Sequence, residues 1–165
     1  VIAGILRPDS GTVWIGTNDM TSLPSHQRGV GLVFQDNQLF PHMSTIDNVA
    51  YGLRVAGVGK VERQERGAVW LDRVGLAGFE RRSVTELSGG EAKRVALART
   101  LATEPSVVLL DEPLTGLDRE LRDHLATQLA QLLVEHSITA VLVTHDPAEA
   151  DVIASRSVRM DQIDG

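Results

Sequence analysis

A chain of 165 residues, 42% apolar and 23% charged, has enough material for one domain with a sizeable core, and no apolar run in it approaches the ~20 residues that cross a bilayer. The absence of cysteine excludes disulfides and thiolate metal sites. The formal charge of −6 is uneven, with nine basic and eight acidic residues through Ser83 and seven and fourteen beyond it. That balance argues against a nucleic-acid-binding surface and leaves carboxylate metal chemistry or solubility as readings of the acidic half.

The opening VIAGILRPDSG runs into a proline and a Gly-containing turn and reads as the tail of a helix. Short β-branched and aromatic runs at 13–15 and 31–34 read as strands, with the polar TNDMTSLPSHQRG between them. Residues 36–87 change character: turns are expected near Pro41 and at 57–59, and helices around 45–55, 60–74 and 76–81. This predicts a mostly helical insertion, 36–87, in an α/β core made by 1–35 and 88–165.

From Ala92 the pattern is strongly periodic. Val95, Ala98, Leu101 and Ala102 share a helical face, and the helix is expected to stop before Pro105. VVLL at 107–110 has the uniform apolar character of a parallel strand buried on both faces. Leu121, Leu125, Leu129 and Leu132 mark the next helix. A second buried strand is expected at 140–144, a short helix at 147–152 and a final strand at 157–160. Strand, helix and strand at this spacing define a βαβ unit, hence an α/β fold with a parallel sheet.

In such a sheet, ligands sit beyond the carboxyl ends of the strands, so the residues placed there are the informative ones. VVLLDEP puts Asp111 and Glu112 at one strand end, VLVTHDP puts His145 at another, and GLVFQ puts Gln35 at a third. Asp111 suits a hard cation such as Mg²⁺, which takes carboxylates together with phosphates and waters. Glu112 then suits activation of an attacking water. His145 can donate to a phosphoryl oxygen, and the Gln35 amide can ligate a metal or hold a water. The plain alternative is that acidic residues merely end a buried strand. It accounts for one carboxylate and poorly for the set.

ELSGGEAKRVALA, residues 86–98, raises a second possibility. Ser88 can cap a helix starting at Gly89, with its first N–H groups aimed at an anion and no Cβ at Gly89 or Gly90 to hold the anion away. The same residues fit a capping box in which the Glu91 carboxylate returns to the Ser88 N–H. The two readings are compatible, although a carboxylate in the first turn opposes a bound triphosphate unless it turns aside.

The ordered block LSGGEAKRVALARTLATEPSVVLLDEPLTGLD resembles the signature, Walker B and D-loop block of the ABC-type ATPases. GVGLVFQDNQLFPHMSTIDNVAYGL is similar to the Q-loop region of their importer-type members, and VLVTHDPAEA to their switch-histidine segment. The resemblance implies a P-loop-NTPase-like sheet with a helical subdomain. Its ligands are ATP and Mg²⁺, and its activity is ATP hydrolysis coupled to solute transport. It makes Gln35 the Q-loop glutamine that senses Mg²⁺ and the membrane partner. Ser88, Gly89, Gly90 and Glu91 become the signature segment facing the triphosphate on the opposing subunit. Asp111 acts through the metal, Glu112 is the general base, Asp118 lies along the dimer seam and His145 sits near the γ-phosphate.

The implied partners are a second ATP-binding subunit placed head-to-tail, transmembrane permease subunits and an extracytoplasmic solute-binding protein, with the chain peripheral on the cytoplasmic face of the membrane. The LFPH sequence most resembles subunits for uptake of polyamines, sugars or inorganic anions and metal ions.

Two departures stand out. No segment matches G-x-x-x-x-G-K-[ST], the loop that cradles the β- and γ-phosphates, so that loop is expected just before Val1. Glu91 and Lys93 stand in a signature region where glutamine is usual at position 91, and the substitution is expected to weaken phosphate contact modestly, with Lys93 a possible compensating partner. A non-transport ABC ATPase fits less well, because the stretch after Gln35 is short and lacks a long heptad tract. A non-catalytic module that keeps the interaction surfaces is the third reading. His26, His42, His124 and His136 read as surface or packing residues, Trp14 and Trp70 as core, and Arg81 and Arg82 as solvated.

Overall fold

A computed structural model describes residues 1–159. Three parallel strands form its sheet in sequence order: β3 (Val30–Val33), β4 (Val107–Asp111) and β5 (Thr139–Val143). Val33 aligns with Leu110, and Asp111 with Val143, so all three strands finish at one edge. A separate antiparallel hairpin joins β1 (Trp14–Ile15) to β2 (Asn18–Asp19). Its second strand lies in the polar segment read from sequence as a mere spacer.

Helix α4 (Gly89–Leu101) runs beneath the sheet with Val95, Ala98, Leu101 and Ala102 fully buried, as its periodicity requires. Helix α5 (Arg119–Glu135) buries Leu125, Leu129 and Leu132 and returns the chain to β5, which pairs parallel to β4 and completes the expected βαβ unit. Helix α6 (Pro147–Ile153) begins on Pro147, whose missing N–H costs nothing at that position.

Between β3 and α4 lie α1 (Thr45–Val49), α2 (Tyr51–Val55) and α3 (Lys60–Arg73), and both α1 and α3 pack on α4. The single helix expected over 45–55 is thus two, separated at Ala50. Asn48 is completely buried yet satisfied: its amide oxygen accepts from Phe40 N at 2.8 Å, and its nitrogen donates to the carbonyls of Phe40 and Ser44, both at 3.1 Å. It thereby fixes the chain leaving the Gln35 loop against the start of α1. Trp70 is 3% exposed, lies 5.3 Å from the His136 ring and has the Arg73 guanidinium on its face, so it locks α3 to the end of α5.

Five expectations need correction. The strand expected to be buried at 140–144 is β5, Thr139–Val143, and among the described residues it ends the sheet with Val141 and Val143 exposed on one face. Residues 1–7 are turns and bends rather than helix: Gly4 sits at φ +76°, and Arg28 takes the carbonyls of Val1 and Ile2 that a helix would use. Arg28, 3% exposed, also donates to the carbonyls of Leu23 and Thr21, a buried anchor that no sequence pattern announced. Residues 76–81 are turns, because Gly78 at φ +85° cannot continue a helix. Trp14 is 58% exposed, since a two-residue strand offers it nothing to pack on. Residues 157–159 form no strand, and Met160, the last residue of the strand expected there, lies outside the described residues.

Candidate functional site at the strand ends

The common strand edge delivers three side chains to one point. Glu112 follows β4, His145 lies two residues past β5, and Gln35 two past β3. His145 Nδ1 stands 3.1 Å from Glu112 Oε1, and Gln35 Nε2 donates to Glu112 Oε2 at 3.4 Å. Each oxygen of one carboxylate therefore has its own partner from a different strand. Asp111 is exposed at the same edge.

The backbone of Glu112 is unusual. Its φ is +46°, a region that costs a non-glycine residue about 1–3 kcal/mol and persists only when its surroundings over-determine it. The surroundings are visible: its N–H donates to Val143 O at 2.9 Å, and its carbonyl accepts from Lys93 Nζ at 3.2 Å. Lys93 also donates to the carbonyl of Thr115. It does not pair with Glu91, and the compensation expected from sequence is absent. Lys93 points toward the turn after β4.

Ser88 caps α4 and forms the full capping box. Glu91 N donates to Ser88 Oγ at 3.3 Å, and Ser88 N donates to Glu91 Oε2 at 2.7 Å. The backbone N–H of Ser88, followed by its hydroxyl, holds the Glu91 carboxyl below the usual carboxylate range. The adjacent glycines differ. A Cβ at Gly89 would meet nothing within 4 Å, whereas one at Gly90 would stand 2.9 Å from Leu117 Cδ2. Gly89 presents open backbone, and Gly90 lets the loop before α5 approach. No hydrogen bond among the described residues joins Ser88–Glu91 directly to the Glu112 cluster. Asp118 caps α5, accepting from Leu121 N at 3.0 Å.

Sequence reasoning missed the residues that hold this arrangement. Arg99 donates to the carbonyls of Gln38 at 2.8 Å and Asn37 at 3.2 Å, clamping the loop after Gln35. Arg94 donates to those of Val74 and Gly75, both at 3.1 Å. Arg122 donates to Leu117 O and Asp146 Oδ2, and the hydroxyl of Thr144 donates to buried Glu149 at 2.6 Å. For Arg94 and Arg99 the only signal available was a basic side chain on an otherwise buried helix, and Arg122, Thr144 and Glu149 gave none.

Among the described residues, no three acidic or histidine side chains gather into a closed metal site. An exposed carboxylate and an amide at one sheet edge do fit a Mg²⁺ ion that keeps waters and phosphate oxygens as its remaining ligands. The described residues also include no helix long and apolar enough to cross a membrane.

A parallel α/β sheet whose strand ends converge beside a capped helix N-terminus has the architecture of a P-loop-NTPase-like core. The chain belongs to the ABC transporter family, whose model matches residues 1–115. It is 48% identical over 160 residues to the Fe(3+) ions import ATP-binding protein FbpC of Rhizobium etli, covering 97% of this chain and 45% of that protein. With FbpC of Streptomyces avermitilis it shares 50% identity over 159 residues, 96% of this chain and 46% of the relative. The chain thus spans about half the length of these relatives. Among solved structures, the dimeric post-hydrolysis state of the ATP-binding cassette MJ0796 bound to ADP and Pi superposes with a TM-score of 0.83 at 30% identity, covering 92% of this chain and 69% of that one.

Proposed function

We propose that the whole protein binds and hydrolyses ATP to drive solute import across a membrane, with an inorganic ion such as Fe(3+) as the cargo class its relatives suggest. The observation that carries this is the Glu112 carboxylate held between Gln35 and His145 at the strand edge.

In this reading Glu112 takes a proton from water as that water attacks the γ-phosphorus and ADP departs. Gln35 Nε2, on the second carboxylate oxygen, keeps Glu112 oriented while its own amide oxygen remains for the metal or the water. Asp111 and Gln35 would hold Mg²⁺, which supplies charge neutralisation on the phosphates. With its Nδ1–H aimed at Glu112, a neutral His145 can only accept at Nε2. Donation to the γ-phosphate therefore requires the doubly protonated ring or its reorientation.

Ser88 offers its hydroxyl and Gly89 its backbone N–H to the nucleotide of a second, head-to-tail subunit, a pairing supported by the dimeric relative. Asp118 then lies along the seam. Residues 36–87 form the helical subdomain, and a groove of about 310 Å³ beside Phe40, Tyr51 and Arg99 is the surface offered to permease subunits. A solute-binding protein outside the membrane completes the system, and this chain sits on the cytoplasmic face.

The test is ATP turnover and ATP binding by the whole protein and its Glu112→Gln variant. Hydrolysis is expected to fall by about 10²–10⁴-fold with binding retained. Equal turnover in the two proteins would remove Glu112 from the reaction.

A further inference from the structure

We propose that Lys93 is a positioning residue whose ammonium grips the carbonyls of Glu112 and Thr115 and so fixes the left-handed peptide that aims Glu112. The proposal rests on the reading that Glu112 activates water.

The local chemistry leaves a gap that Lys93 fills. After β4 the chain must turn sharply while keeping the Glu112 side chain at the sheet edge. Pro113 follows at once, so the next residue has no N–H to give. The first intraloop donor is Thr115 N, 3.3 Å from Glu112 O. On the other side, Glu112 N is tied to Val143 O. With its N–H fixed, the carbonyl decides whether φ stays at +46° or relaxes toward the ordinary negative region, and Lys93 Nζ sits on that carbonyl at 3.2 Å. The same ammonium spans the turn to Thr115 O, bracketing it at both ends.

A flexible four-carbon stem with three donors suits two carbonyls on separate residues better than a shorter amide does. Burial disfavours the Lys93 charge, and the Glu112 carboxylate restores part of what is lost. A lysine whose role was solubility would extend into water, whereas this one is half-buried with backbone oxygens for partners. Lys93 also lies five residues beyond Ser88 on α4, so the helix that presents Ser88 and Gly89 outward holds Glu112 inward.

The experiment compares wild type, K93M and K93R in the whole protein, reading kcat and KM for ATP together with hydrogen exchange over residues 111–116. K93M is expected to lose at least tenfold in kcat with KM within twofold, and to exchange faster over 111–116 while α5 is unchanged. K93R, which can still reach both carbonyls, is expected to recover at least a third of wild-type kcat. A K93M enzyme within twofold of wild-type kcat, or a loss carried by KM, overturns the proposal. If K93M does not fold, a K93R protein that folds but stays as slow as E112Q overturns it equally, and recovery supports it. If wild type itself shows no Glu112-dependent turnover, the hydrolysis reading fails. Exchange over 111–116 then judges Lys93 separately, and unchanged protection in K93M ends its role.

Discussion

Arg122 Nη1 lies 2.8 Å from Asp146 Oδ2, and its Nη2 reaches Leu117 O at 2.9 Å. One guanidinium at the start of α5 therefore spans the loop before its own helix and the residue immediately after His145. The contact holds the Asp146 carboxyl below its usual range, with the Arg122 hydrogen bond the largest cause. Removing the guanidinium as R122M is expected to lower unfolding stability, measured by urea denaturation. Because the two side chains share one contact, R122M and D146N should be non-additive in a double-mutant cycle. Additivity within about 0.5 kcal/mol would show that the contact carries no energy.

Glu149 gives a pH prediction of opposite sign. It is 3% exposed, and burial raises its pKa above the ordinary glutamate range despite the hydroxyl of Thr144. A raised folded pKa means the group favours folding below the unfolded value and loses that contribution as pH rises through the folded one. Thermal melts of wild type and E149Q should therefore diverge, the variant gaining relative to wild type as pH rises above the ordinary glutamate range. A Tm difference that stays flat over that rise would contradict the assignment.

Glu91 behaves conversely. Its lowered pKa means the capping box stabilises the fold above the ordinary carboxylate range and loses that contribution as pH falls through the folded value. Wild type should thus melt above E91Q at neutral pH, and the gap should close in acid. Removing the negative charge from the first turn of α4 is also expected to raise ATP turnover of the whole protein modestly, about two- to fivefold for a gain of several tenths of a kcal/mol at a helix N-terminus. Slower or unchanged turnover in E91Q would reject the electrostatic part.

The two glycines of the signature separate stability from binding. G90A drives a methyl group against Leu117 and should cost about 1–3 kcal/mol by overpacking, read as a lower Tm. G89A meets open space, so its Tm should stay near wild type while nucleotide-dependent dimerisation, followed by light scattering, weakens. Reversal of the two phenotypes would exchange the roles assigned to them.

The fold was legible wherever one physical demand dominated the residue choice. VVLL needs burial on both faces, and α4 and α5 need an apolar stripe, so β4, both helices and the parallel sheet could be read directly. The ends of those strands located Gln35, Glu112 and His145, which do meet. What escaped depends on contacts between distant segments. Whether residues 1–7 coil into a helix is decided by Arg28, 21 or more positions later, and the exposure of Trp14 by the lack of anything above a two-residue strand. The direction of Lys93 escaped for the same reason: i and i+2 residues on a helix do not face each other, and its true partners lie beyond a strand.

Helix α4 carries three cations that share one habit. Lys93, Arg94 and Arg99 each donate to a pair of backbone carbonyls, on the Glu112 turn, at the end of α3 and in the Gln35 loop respectively. Carbonyl oxygens do not titrate. These six ties therefore have no acid midpoint of their own, unlike the Glu91 box or the Asp146 contact. As the solution is acidified, the rim of the site is expected to loosen before its spine does, leaving α4 still fastened to three segments whose side-chain chemistry has already switched off.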